Sequence, residues 1–257
     1  MHNRKFGFYF LCTVIVAVGT MIATSVAAAQ VADRPWMNPK LSPEERADMV
    51  LKQLTLDEKL ALLHGNGMAH APQWQMPLSH LANGGAGYVE GVKRLGIPPL
   101  LISDAGYGVR DSGANGRYST AMPSSLGAAA SWDQDCACEF GTVIGQELRA
   151  QGFNMTLGGG VDLAREPRNG RSFEYAGEDP LLSGTVVGNL MKCEQAQHVV
   201  GDIKHYVMND QETGRFFVNA VISKRAMQES DLLAFHIAIS IAIAVQWALV
   251  QIAHLVD

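Results

Sequence analysis

Past residue 40 the chain alternates between helical and strand spacing of its apolar residues. Ser42 with Pro43 and Glu45, and Thr55 with Glu58, spell capping boxes. In such a box the hydroxyl accepts from the third helical amide while the glutamate returns to the cap. Two helices are therefore predicted, the first with Met49, Val50 and Leu54 on its apolar side, the second running through Leu60, Leu62 and Leu63 to a stop at Gly65. Gly84 to Gly87 marks a turn, and Pro98 to Asp104 reads as a short buried strand that carries Asp104 and AGYGVRDSG at its carboxyl end. Phe140, Ile144 and Leu148 then recur on one stripe, predicting a helix capped by Ser131, running to Gln151 and stopped by Gly152. A strand over Phe153 to Leu157, a helix ending near Gln197 and a strand over Val199 to Tyr206 complete the pattern. Such alternation predicts an α/β fold of parallel strands joined by crossover helices.

One segment obeys neither period. Leu163 to Pro180, LAREPRNGRSFEYAGEDP, sets Arg165, Arg168 and Arg171 among Glu166, Glu174, Glu178 and Asp179. Guanidinium forks and carboxylates crowded on a loop suit recognition of a polar ligand, although solvated surface turns also collect charge. Asp104 with Arg110, this loop, and Lys204 with His205 each follow an apolar run, so a barrel would bring all three groups to one rim. Carboxylates accept from vicinal hydroxyls and cations donate to them, which matches a sugar. His205 taken alone reads more readily as a satisfied core histidine than as a ligand.

The chain's 257 residues fit a single α/β barrel, and its net charge of -5, without any Lys/Arg-rich run, argues against nucleic acid as a partner. Arg4 and Lys5, the apolar stretch Phe6 to Ala23 and the small residues Ala27 to Ala29 match a secretory signal over residues 1–29, which predicts export to the periplasm or the exterior; an uncleaved anchor is the alternative. Cys12 would leave with the signal, and Cys136, Cys138 and Cys193 then read as structural or free thiols rather than a disulfide framework. His64, His70 and His80 have no zinc spacing, so no metal or other cofactor is expected. Gly158 to Gly160 reads as a tight turn, and Asn154-Met155-Thr156 as a chance glycosylation sequon, because it falls within a strand.

Four phrases occurring in order, LTLDEKLALL, SDAGYGVRDSG, LAREPRNGRSFEYAGEDP and IKHYVMNDQETGR, resemble the amino-terminal domain of family 3 glycoside hydrolases, the β-glucosidase group, over about Leu41 to Ile239. The resemblance implies a domain over residues 30–239 with a partial (β/α)8 TIM-like barrel, incomplete at its carboxyl-terminal end, and a β-glucoside or oligosaccharide as substrate, cleaved with retention. It implies Asp104, Arg110, Arg171, Lys204 and His205 as sugar ligands, with Arg165, Arg168 and Glu174 in support, shaping the loop and orienting Arg171. Ala105-Gly106 and Asp210 depart from the family pattern, which commonly has glycine-proline and asparagine there.

Retention requires two carboxyl groups about 5 Å apart. In the family the nucleophile lies in a Ser-Asp-Trp phrase after a Met-Cys-Ser-Tyr-like strand, and neither occurs in this sequence; the acid/base belongs to a following domain. From about Ser240 the chain reads SIAIAVQWALVQIAHLVD, a divergent apolar tail that a shifted reading frame would explain. Leu232 to Val256 has only His236 and His254 as potentially charged members, so a membrane-spanning helix is a second reading of that stretch. Two function classes follow: a β-glucosidase-type hydrolase of which this chain is a fragment, and an inactive or merely sugar-binding remnant.

Overall fold

The computed structural model describes residues 34–65, 82–110, 117–242 and 248–252. The expected signal segment, His70 and His80 lie outside the described residues. The chain divides into two compact units, one of residues 1–60 with 92–97, the other of residues 61–91 with 98–257.

The first unit is built on helix α1 (Pro43–Gln53) and most of α2 (Leu56–Leu62). Both capping boxes form, Glu45 amide to Ser42 hydroxyl at 3.2 Å and Glu58 amide to Thr55 hydroxyl at 3.2 Å, each with the returning carboxylate. Trp36 is buried and donates its indole N–H to the Leu95 carbonyl, 3.2 Å away. Arg94 pairs with Glu58 and donates to the Gln53 carbonyl at 2.7 Å, closing segment 92–97 onto the helices.

In the second unit, β1 (Gly87–Val89), β2 (Leu100–Ser103) and β3 (Met155–Thr156) form one sheet, and β4 (Gly159–Gly160), β5 (Gly201–Tyr206) and β6 (Ala248–Ile252) another. Ile102 pairs with Met155 and Gly160 with Lys204, both in parallel, and a single Met155–Val200 bridge links the two sheets. The β1–β2 pair is antiparallel, unlike the parallel order expected from the alternation. Its connection holds no crossover helix, and a parallel pair needs a dozen or more residues to cross over.

Helices α3 (Ser125–Ala129), α4 (Gln134–Ala150), α5 (Pro180–Gln195), α6 (Lys224–Glu229) and α7 (Asp231–Ala242) complete the unit. Ser131 does not cap α4: its hydroxyl donates to the Ala128 carbonyl at the end of α3, and Asp133 supplies the cap, accepting from the amides of Asp135 and Cys136. The predicted stripe is the buried one, with Phe140, Ile144 and Leu148 in the core beside Phe153, Met191, Ile203 and Phe235. Close helix approach rests on small residues. A Cβ on Gly141 of α4 would lie 2.0 Å from the Leu190 carbonyl oxygen of α5, and one on Gly184 of α5 would lie 2.8 Å from the Ala234 carbonyl oxygen of α7.

Three expectations change. Cys138 and Cys193 form a disulfide across the α4–α5 contact, with Cα atoms 5.1 Å apart, while Cys136 is exposed and free; helix packing, not sequence spacing, creates the pairing distance. Gly159 and Gly160 are strand rather than turn, paired in parallel with Ile203 and Lys204, and the close approach requires glycine, since Cβ atoms there would meet the carbonyl oxygens of Asp202 at 2.4 Å and Glu174 at 2.3 Å. Residues 232–256 are not one helix: α7 ends at Ala242, and β6 pairs with β5 in parallel. Among the described residues no helix is long and apolar enough to cross a membrane. Asn154 accepts from the Leu101 amide at 2.7 Å and donates to the Pro99 carbonyl at 2.8 Å, so its amide serves the sheet edge.

The disulfide closes a 55-residue separation. Replacing Cys138 and Cys193 by serine is expected to lower the unfolding free energy by roughly 2–4 kcal/mol, read by denaturant titration; an unchanged midpoint would show that the bridge constrains nothing.

Candidate active site

Two of the three polar clusters sit where the chain leaves a strand. Asp104 directly follows β2, and its turn is clipped by the Arg110 amide donating to the Asp104 carbonyl at 2.9 Å and by the Ser103 hydroxyl donating to the Arg110 carbonyl at 2.7 Å. Loop 163–180 follows β4, with one 3₁₀ turn at Ser172–Glu174. Lys204 and His205 lie within β5 rather than past its end. Parallel strands therefore bring residues from distant stretches of sequence to one rim.

Lys204 is buried, and its ammonium donates to Glu174 Oε2 at 3.0 Å and faces Asp104 Oδ1 at 3.8 Å. The other Glu174 oxygen accepts from Arg171 Nε at 2.5 Å, so one buried carboxylate holds both cations. Arg171 also faces Glu212 Oε1 at 3.5 Å, and Arg215 pairs with Glu212 at 3.1 Å. Removing one partner from such a buried set strands the other charge, at a cost of about 3–5 kcal/mol.

These side chains line an open cavity of about 690 Å³ whose wall includes Asp104, Arg110, Arg171, Lys204, Glu212 and Arg215. His205 is buried, its Nδ1 lying 3.0 Å from the hydroxyl of the fully buried Tyr175. Arg165 does not reach for Arg171. It pairs with Asp231 at 2.7 Å, donates to the Ser230 hydroxyl at 3.0 Å, and fastens the loop to the start of α7. Arg168 pairs with Glu166 and is exposed, so orientation of Arg171 falls to Glu174 and Glu212.

Glu212, Arg215, Arg117, Tyr107 and Phe173 line the cavity and were not singled out by sequence reasoning. Glu212 and Arg215 stand within the fourth phrase, IKHYVMNDQETGR, where their charges were the available signal. Arg117 donates to the carbonyls of Asn83 at 2.5 Å and Gln151 at 2.7 Å, its guanidinium lying over the Phe153 ring.

Beneath the loop, carboxyls crowd together. Burial, and then the charge of Asp210, push Asp162 well above the ordinary range against the backbone amides of Asn209 and His205. Burial, and then the charge of Asp231, raise Asp210 to about 6, opposed by Arg165 at 3.7 Å. Burial also acts on Asp231, but its hydrogen bonds and charge interaction with Arg165 outweigh it and lower that carboxyl.

Because the folded carboxyl of Asp210 binds its proton more tightly than the unfolded one, stability falls as pH rises from the ordinary carboxylate value through about 6. Asp210→Asn is therefore expected to stabilise the fold above pH 6 and to leave it unchanged below the ordinary value, measured by urea midpoints across pH. A gain of equal size at all pH values would contradict the assigned cause.

The chain matches the family described as "Glycosyl hydrolase family 3 N terminal domain" over residues 81–256, starting after the first of the four phrases and running past Ser240. It is 35% identical over 192 residues to a probable beta-glucosidase I of Aspergillus clavatus, covering 74% of this chain and 21% of that protein. It is 35% identical over 201 residues to beta-glucosidase B of Emericella nidulans, covering 78% of this chain and 22% of that protein. Beta-glucosidase 3B of Thermotoga neapolitana, solved in complex with alpha-D-glucose, superposes with a TM-score of 0.68 at 36% identity, covering 76% of this chain and 28% of that one. The chain thus spans about a fifth of the length of the curated relatives it matches. With the phrases, the parallel α/β units and the rim of charged side chains in agreement, this chain belongs to glycosyl hydrolase family 3, as part of its amino-terminal domain.

Proposed function

We propose that this chain forms the glucose-binding portion of a β-glucosidase-type glycosidase and contributes neither the nucleophile nor the acid/base. The observation that carries the reading is the set of fixed charges on one cavity, Asp104, Lys204, Glu174 and Arg171, linked by the contacts described above. Asp104, with its side chain 35% exposed, accepts from a pair of vicinal hydroxyls; Lys204, Arg171 and Arg110 donate to the remaining oxygens. Glu174 sets the direction of both Lys204 and Arg171, and His205 with Tyr175 braces β5 behind them.

The missing chemistry follows from what the cavity's carboxylates already do. Glu174 is tied to two cations and Glu212 to Arg171 and Arg215, so neither stands ready to attack an anomeric carbon. Asp104 serves hydroxyl binding. The sequence holds neither the Ser-Asp-Trp nor the Met-Cys-Ser-Tyr phrase, which supports a chain that binds the sugar while the reacting carboxyl groups reside elsewhere. The Cys138–Cys193 disulfide supports export to an oxidising compartment, the reading already drawn from residues 1–29.

Calorimetric titration of the purified chain with glucose is expected to give saturable heat that Lys204→Ala abolishes, with no hydrolysis of an aryl β-glucoside above the uncatalysed rate. Absence of heat in the unaltered chain would overturn the binding assignment. Turnover that disappears on changing Asp104 would overturn the claim that the reacting carboxyls lie elsewhere.

A further inference from the structure

Glu194 lies outside the cavity wall, yet it is among the most deeply buried side chains of the second unit. It stands one residue from the end of α5, 1% exposed, and neither carboxyl oxygen has a well-formed hydrogen bond. Burial pushes this carboxyl up to about 8, against the polarity of the Thr156 hydroxyl. An anion here also meets the negative end of the α5 dipole, and Lys192, the basic residue of that last turn, is exposed. Among the described residues, the elements packed on α5 supply no compensating cation. On α4, Asp135, Cys136, Glu139 and Arg149 are exposed, and Glu147 is engaged by Thr120. Lys204 of β5 is held by Glu174 and Asp231 of α7 by Arg165, while His236 of α7 and His198 in the turn after α5 are exposed. Neither α3 nor β4 carries an ionisable residue. Asp202 of β5 is buried as well, and a charge there acts in the same direction as burial.

The contact that buries Glu194 is the one the disulfide spans. A Cβ on Gly145 of α4 would lie 2.8 Å from the Glu194 carbonyl oxygen, and the preceding residue, Cys193, is bonded to Cys138 of α4. Both cysteines are half-buried there. On the other side, Gln195 donates to the Ala242 carbonyl at 3.0 Å and ties the same turn to the end of α7. A neutral carboxyl is tolerated in such a place, whereas an ionised one without a partner is stable only where water reaches it. We infer that Glu194 is a proton-operated latch: protonated, it lets the last turn of α5 close on α4, and ionised, it opens that turn and bares the Cys138–Cys193 disulfide to solutes. The closed turn binds the proton more tightly than the open one. Its stability is therefore fully present below the ordinary carboxylate value and is lost as pH rises through about 8.

The test is the rate at which a water-soluble phosphine reduces the disulfide of the full chain between about pH 6 and 9, taken relative to a small open-chain disulfide at each pH. Phosphorus gives its electron pair to one sulfur as the S–S bond breaks; water then leaves its oxygen on phosphorus and its two protons on the sulfurs. The relative rate is expected to rise at least about tenfold across this range and to level off above about 8. Glu194→Gln, which keeps the shape and cannot ionise, should hold the rate within about twofold throughout. Dilute urea should scarcely alter the rate, since opening the end of one helix exposes little surface. A flat profile in the unaltered chain would overturn the inference, as would an equal rise in Glu194→Gln. So would a rate that climbs with urea as steeply as global unfolding, because the phosphine would then reach the disulfide through the unfolded chain. Should Glu194→Gln fail to fold, the pH profile and urea dependence of the unaltered chain still decide.

Discussion

A buried ammonium must be neutralised where it sits, and the geometry of the site follows from how Lys204 meets that requirement. Lys204 lies on a strand that is buried for nearly its whole length, so its charge cannot escape to water. Glu174 answers it at 3.0 Å, which obliges loop 163–180 to fold back across β4 and β5. Gly160 permits that return, since any side chain there would strike the Glu174 carbonyl. Once Glu174 is placed, its second oxygen fixes Arg171, and Arg171 in turn faces Glu212. Desolvation offsets much of the Coulomb gain of such a pair, so its main product is a fixed arrangement of donors and acceptors rather than net stability.

That arrangement needs a frame that does not give. The disulfide joins α4 to α5 at one contact, and glycines let α5 approach both α4 and α7 with little intervening side chain. The Arg165–Asp231 pair then ties the charged loop to the first residue of α7. Loop, helices and strands thus share a small set of close contacts, and the ligand-facing residues inherit their precision from the layer behind them.

Local chemistry was legible in the sequence, and long-range pairing was not. Both capping boxes, the buried stripe of α4 and the strands ending at Asp104 and Tyr206 could be read because each depends on residues within a turn or two of one another. Ser131 misled as a cap because Asp133 offers an equally good oxygen two residues on, and the backbone at Trp132 turns left-handed between them. The Cys138–Cys193 bridge and the Arg165–Asp231 pair join residues 55 and 66 positions apart, and no spacing rule reports them. Asp104, Arg110, Arg171 and Lys204 were legible from their places after apolar runs and from the order of four phrases, and they do line one cavity. Glu212, Arg215, Tyr107 and Phe173 stayed hidden because they lie on turns, where neither period marks the direction of a side chain.

The central claim is that Lys204 and Glu174 act as one unit. A double-mutant cycle on unfolding free energy, with Lys204→Met, Glu174→Gln and the two combined, measures this coupling directly. The account predicts a coupling of at least about 1 kcal/mol, with each single change costing more than its share of the double. A coupling within about 0.5 kcal/mol of zero would contradict it, since the two residues would then be neighbours without depending on each other.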